Sequence, residues 1–234
     1  PKLFAVQTAR VLNSMDFSLL LGGAFGFEGD NGFLGTVSFG LGGYGDLEMS
    51  TSTLMASIFT RDENYGNISL KGQVYKTDDN LFAVTLGLRS NSTWENSSAS
   101  GDDIRTASET LFDEGLRHVQ YSWRMTSLFL STTYAKYPKV NLHAGIALSD
   151  LRYKDAFVEY NGGGFYNTTL VTKKQNILNF FIGADKTLNE RTMLVAEALS
   201  TPVISVKPED GSLFTERRYS ATIGLRFFVN RWFI

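Results

Sequence analysis

The strongest constraint on this chain is a two-residue period. From Val140 to Asp150, the residues Val140, Leu142, Ala144, Ile146 and Leu148 fall on one side, and Asn141, His143, Gly145, Ala147 and Ser149 on the other. Only a β-strand puts residues i and i+2 on the same face. The pattern recurs. Val37, Phe39 and Leu41 oppose Thr36, Ser38 and Gly40; Phe82, Val84, Leu86 and Leu88 oppose Ala83, Thr85, Gly87 and Arg89. Ile68, Leu70 and Val74 oppose Ser69, Lys71 and Gln73, and Ala221, Ile223, Leu225 and Phe227 oppose Ser220, Thr222, Gly224 and Arg226. The periodicity predicts strands at 16–27, 33–42, 47–59, 68–76, 81–91, 118–135, 140–153, 175–187, 192–203 and 219–229. Many of these are longer than the roughly 5–6 residues usual in soluble proteins and match the roughly 9–11 that a tilted strand needs to cross a bilayer. A short helix is conceivable only within the loop stretch Ile104–Leu116.

The connections sort by length. Gly43–Asp46, Thr77–Asn80, Lys136–Lys139 and Leu188–Arg191 are short, and each alternates with a longer one at about 28–32, 60–67, 92–117, 154–174 and 204–218. In an up-and-down barrel, alternate connections lie at opposite rims, so this sorting puts short turns at one rim and long loops at the other, as in outer-membrane barrels. An even count of about ten strands places both chain ends at the short-turn rim. Residues 1–13 are therefore expected as a separate segment at the periplasmic rim or inside the lumen, with 14–234 forming the barrel. A twelve-stranded barrel is the alternative. Aromatic side chains fall near both ends of the strands, with Phe17, Tyr44, Tyr75, Phe82, Tyr134, Tyr137, Phe227 and Trp232 towards the short turns. Phe25, Phe27, Phe33, Phe59, Tyr65, Tyr121, Trp123 and Tyr153 lie towards the long loops. Two aromatic girdles are expected where rings sit at the headgroup level.

Composition narrows the function classes. The formal net charge of −2 argues against a nucleic-acid binder, and the absence of Cys excludes disulfides, thiol catalysis and thiolate metal sites. Two His leave no His-rich metal site, and no cofactor is expected. No apolar run is long enough for a transmembrane helix. The mean hydropathy is slightly negative, which is what two opposite faces average to. The N-terminus Pro1–Gln7 lacks the pattern of an export signal, so any such signal is expected to have been removed.

The last predicted strand, Tyr219-Ser220-Ala221-Thr222-Ile223-Gly224-Leu225-Arg226-Phe227-Phe228-Val229, resembles the C-terminal assembly signal of bacterial outer-membrane β-barrel proteins. Gly224, Phe227 and Val229 fit that signal, while Ile223 stands where a polar residue is usual and Asn230–Ile234 runs past its end. The stretches Gln7–Leu12 and Asp16–Leu19 are similar to the start of many uncharacterised barrels of this class. The resemblance implies a location in the bacterial outer membrane, with the lipid bilayer and lipopolysaccharide as surroundings and envelope proteins as candidate partners.

The lumen-lining candidates are Glu48, Lys71, Arg89, Arg124, His143, Asp185, Glu197 and Arg226. Lys71, His143, Asp185, Glu197 and Arg226 fall at similar heights, with Glu48 slightly lower. Glu48 with Lys71, and Glu197 with Arg226, lie on neighbouring predicted strands. They are expected to form a mixed belt of ion pairs that fills a narrow lumen, since a single-sign ring would instead read as a selectivity filter. The long loops are acidic, which reads as solvated surface. Asn67, Asn91, Asn96 and Asn167 begin Asn-x-Ser/Thr triplets, consistent with exposure and no more.

Catalytic patterns are weak. His118 stands near Asp113 and Glu114, but no Asp-x-His pair occurs. Gly40-x-Gly42-x-x-Gly45 lacks the following helix that a dinucleotide site needs. The expectation is an antiparallel up-and-down transmembrane barrel acting as a small pore or as an anchor for surface loops. A surface barrel hydrolase and a soluble lipocalin-like ligand-binding barrel are the alternatives, the latter requiring an apolar lumen.

Overall fold

The computed structural model describes residues 3, 6–25, 31–51, 65–93, 97–100, 116–160, 166–167, 173–206 and 213–227. It is an all-β chain with one antiparallel sheet. Its strands are β1 (Phe17–Phe25), β2 (Asn31–Leu41), β3 (Gly45–Thr51), β4 (Tyr65–Lys76), β5 (Phe82–Thr93), β6 (Ser97–Ser100), β7 (Leu116–Tyr137), β8 (Val140–Tyr160), β9 (Tyr166–Asn167), β10 (Lys173–Asn189), β11 (Thr192–Val206) and β12 (Leu213–Phe227). Ten of them pair in the order β1-β2-β3-β4-β5-β7-β8-β10-β11-β12, while β6 adds to β7 and β9 to β8. Every strand on this path pairs with its neighbour along the chain, so the sheet is a meander curled into a half-barrel.

All ten predicted strands are present, and most run further than periodicity indicates. β7, β8, β10 and β12 extend into segments expected to be loop, because antiparallel partners keep exchanging backbone hydrogen bonds there whatever their side chains. The expected strand at 47–59 is described only to Thr51, and the stretch Ile104–Leu116 lies almost wholly outside the described residues. The expected closure is not seen among the described residues, where β1 and β12 form the two edges and do not pair with each other.

Turn chemistry fixes the short-turn rim. Gly42 and Gly43 hold φ of 65° and 74°, which gives the β2–β3 hairpin two left-handed residues in succession. Asn80 and Lys139 supply one left-handed residue each to the β4–β5 and β7–β8 turns. In the β4–β5 turn the Asp79 carboxylate accepts from the Leu81 N–H at 3.0 Å. Bonds from Thr77 and from that backbone hold its carboxyl below the ordinary value.

The sidedness of the sheet is inverted relative to a water-soluble core. The convex face carries Leu19 (56% exposed), Ile182 (61%) and Ile223 (78%), along with Leu70, Leu88, Leu128, Ile146, Leu148 and Phe180, all exposed. The concave face buries Thr36, Ser38, Ser69, Thr85, Ser131, Thr133 and Asn141 together with five of the ionisable candidates. Near the short turns, Phe17, Tyr44, Tyr75, Tyr134, Tyr137 and Phe227 are exposed, and the Tyr75 and Phe82 rings meet at 6.3 Å between centroids. At the opposite rim, no account is drawn of Phe25, Phe27, Phe33, Phe59, Tyr65, Tyr121 and Tyr153, whose side chains lie outside the described ones.

Candidate functional site

The site is the concave interior, and the chain's own N-terminal segment lies in it. Strand parity aims the candidates inward. In register across the sheet, Thr133 faces His143, His143 faces Gly183, and Gly183 faces Glu197. One rung therefore carries a hydroxyl, an imidazole, a gap and a carboxylate. Leu3 occupies the space beside that gap: a Cβ on Gly183 would run into the Leu3 side chain and approach Val6 at 3.5 Å. Gly40 does the same lower down, where a Cβ would strike the Asn13 carbonyl. These two glycines are needed for close approach of a second chain segment to the wall.

Residues 3–12 are held mainly by wall side chains that satisfy their backbone groups one at a time. The Val6 N–H donates to Glu197 Oε2 at 3.1 Å, the Ala9 N–H to Thr133 Oγ1 at 2.8 Å and the Leu12 N–H to Asp46 Oδ1 at 2.7 Å. Lys71 Nζ donates to the Thr8 carbonyl at 3.0 Å and to the Arg10 carbonyl at 2.8 Å. Gln73 donates to the Ala9 carbonyl at 3.1 Å and Arg226 to the Leu3 carbonyl at 2.6 Å. Gln7 reaches Glu48 at 3.5 Å, and Arg10 donates to Asn141. Among the described residues, Leu3 and Val6 pack on Val195, with Phe181, Met193 and Leu199 around them. Burying these two side chains contributes about 3–6 kcal/mol.

Opposite charges pair within this layer. Lys71 Nζ lies 3.3 Å from Asp46 Oδ2, both side chains almost wholly buried. His143 Nε2 is 2.7 Å from Asp185 Oδ2, and Asn141 donates to the other Asp185 oxygen. His143 Nδ1 is 2.9 Å from Thr133 Oγ1, which already accepts from Ala9. The set is satisfied when the Thr133 hydroxyl donates to Nδ1 and Nε2–H donates to Asp185. A hydroxyl, an imidazole and a carboxylate in sequence resemble a nucleophile relay. Here the Ala9 N–H donates to the hydroxyl and Thr133 is 3% exposed. The relay fixes the segment in place.

Elsewhere on the concave wall the interior has a different character. Thr85 and Ser131 share a hydrogen bond at 2.6 Å, Ser127 and Ser149 one at 2.8 Å, and Asn179 donates to Ser149 at 3.2 Å. The Phe129 ring lies over Gly87 and the Phe181 ring over Gly145, each opposite its glycine in register. The Arg89 guanidinium sits 5.6 Å from the Phe129 ring centre. A cavity of about 70 Å³ remains between Arg89, Phe129, Asn179, Phe181 and Pro202, with Val6 and Gln7 also in its lining. Its β10–β11 side is loosened by chemistry. The ladder stops at Phe181↔Leu199, Pro202 has no N–H to offer, and Arg217 donates instead to the Leu178 carbonyl at 2.7 Å.

Of the sequence candidates, Glu48, Lys71, His143, Asp185 and Glu197 are buried on the concave face, and Arg226 reaches Leu3 from the edge strand. Arg89 belongs to the cavity above. Arg124 is a correction: it shares parity with the exposed Thr126, Leu128 and Leu130 and is itself exposed, on the convex side. Asp46, directly in register with Lys71, joins it as an ion-pair partner. Asp46, Gln73, Thr133 and Asn141 were missed, although each stands two residues from an inward-facing charge or hydroxyl and parity alone would have found it. Among the described residues, no three His, Asp or Glu side chains come together to hold a metal ion. Comparison with protein-family models, curated proteins and solved structures gives no match.

Proposed function

We propose that this chain is an integral β-barrel of the bacterial outer membrane that keeps its interior occupied by its own N-terminal segment and serves as an anchor presenting long loops at one rim. The observation that carries this reading is the inverted sidedness. A convex band of Leu, Ile, Val and Phe left in water forfeits about 1.5–3 kcal/mol per side chain and is an aggregation hazard. In a bilayer the same band meets hydrocarbon, and the charged groups are kept where lipid cannot reach them. The aromatic side chains at the short-turn rim suit an interface with headgroups. Lipid, including lipopolysaccharide on the loop side, is then the main partner.

The polar concave face weighs against a soluble barrel with an apolar ligand, which needs the opposite distribution. The filled interior favours an anchor over a standing pore, since Lys71, Glu197 and Arg226 all spend hydrogen bonds on the segment lying between them. The test is detergent extraction from membranes followed by electrophoresis with and without boiling. A folded barrel in detergent migrates faster than its boiled form. Monodisperse protein in detergent-free buffer would overturn the reading.

A further inference from the structure

We propose that the segment of Leu3 and residues 6–12 is a displaceable plug, and that the wall it uncovers is a water path that prefers cations. The proposal rests on the membrane reading above and adds an activity to it.

Three observations carry it. First, most of the plug's hold is exchangeable. Its N–H and carbonyl groups bond to side chains of β3, β4, β7, β11 and β12, and water can replace each of these bonds once the segment moves. Among the described residues of the segment, Leu3 and Val6 supply the large apolar contacts. A segment so held belongs to the low-stability end of a structure. Second, a hinge is built in. The chain leaves β1 through a turn closed by the Asp16 N–H to the Asn13 carbonyl at 3.2 Å, with the exposed Met15 at a φ of 63°. Met15 and Asp16 are tied to β2, the Met15 N–H donating to the Gly40 carbonyl at 3.2 Å and the Gly40 N–H to the Asp16 carbonyl at 2.9 Å. The pivot therefore lies just before them, at Asn13 and Ser14, and rotation there moves the segment while these bonds and the ladder from Phe17↔Phe39 stay in place.

Third, the uncovered wall is acid-rich. Asp46, Glu48, Asp185 and Glu197 all face the plug layer, against Lys71 and Arg226. The plug contributes Arg10, bonded to Asn141, whose amide also holds Asp185. Its withdrawal removes that cation and frees Glu197 and Asp46 from the backbone groups they bind. Lys71 keeps Asp46 as its partner. The excess of carboxylates lining a water-filled constriction favours cations. Gly40 and Gly183 leave the vacated space unobstructed by side chains.

The experiment is planar-bilayer recording of the full chain under a KCl gradient, preceded by flotation with phospholipid vesicles. The double variant Leu3→Asp, Val6→Asp loosens the plug without altering the wall. We expect open time to rise by about tenfold for each side chain lost, with a reversal potential on the K⁺ side. The variant Val6→Cys, Val195→Cys joins plug to wall by the chain's only disulfide, since the sequence has no other Cys. It should be silent when oxidised and conduct on reduction, which keeps the idea testable if the loosened variant does not fold. Adding Glu48→Gln and Glu197→Gln to a conducting variant should reduce the K⁺ preference. Protein that floats with vesicles and stays silent in both designs, or conducts anions preferentially, overturns the plug and leaves the membrane reading intact. Protein that does not float overturns both.

Discussion

The interior divides into two halves that solve the same problem differently. A polar surface enclosed by a sheet must have its donors and acceptors satisfied. In one part the wall does this for itself: Thr85 bonds Ser131, Ser127 bonds Ser149, and Asn179 joins Ser149. These are short side chains on adjacent or nearby strands, and the rings of Phe129 and Phe181 fill the space over Gly87 and Gly145. In the other part, around the N-terminal segment, the side chains are long and charged, and they are completed by a segment from outside the sheet. Hydroxyl pairs need only the neighbouring strand. Charges with several bonding positions need a third body, and the N-terminal segment provides it.

This contrast can be broken at its most expensive point. Lys71→Met leaves Asp46 without its cation and two plug carbonyls without their donor. We expect a loss of about 3–5 kcal/mol, read as a lower midpoint in the boiling-dependent mobility shift. A smaller effect separates the two halves directly. Gly183→Ala presses a methyl group into Leu3, and Gly87→Ala presses one into the Phe129 ring. Each overpacked site costs about 1–3 kcal/mol, but only Gly183→Ala should expose residues 3–12 to a protease added from outside. Equal cleavage in both variants would erase the distinction. The smallest effect is expected in the self-satisfied half. Thr85→Val with Ser131→Ala removes both partners of one bond, and the change should stay within about 1 kcal/mol. A larger loss would mean that these hydroxyls are tied to the plug layer after all.

Most of the wall was legible because its signal is local. The alternation through Val140–Asp150 fixes which side of β8 faces in, and Gly42-Gly43 fixes where β2 turns into β3. Parity also selected Lys71, His143, Asp185 and Glu197. Arg124 misled because the alternation around 118–135 is poor: Trp123, Met125 and Phe129 share the inward parity with Ser127 and Ser131. The plug's contacts were illegible for a different reason. Nothing in Leu3–Leu12 has a period, and its partners lie up to 223 positions away. Finding Asp46 as a partner of Lys71 required the register of β3 on β4, which no local pattern carries.

The bond from Arg226 to the Leu3 carbonyl spans nearly the whole sequence, and that from Val6 to Glu197 spans 191 residues. The meander itself assembles from contacts between successive strands, each closing a modest loop. The N-terminal segment is therefore synthesised before the strands it docks on and is the last to find its partners, because β11 and β12 must stand in place before it can dock. Its seating reports that the final strands have arrived, so capture of Leu3 and Val6 is a completion check on assembly.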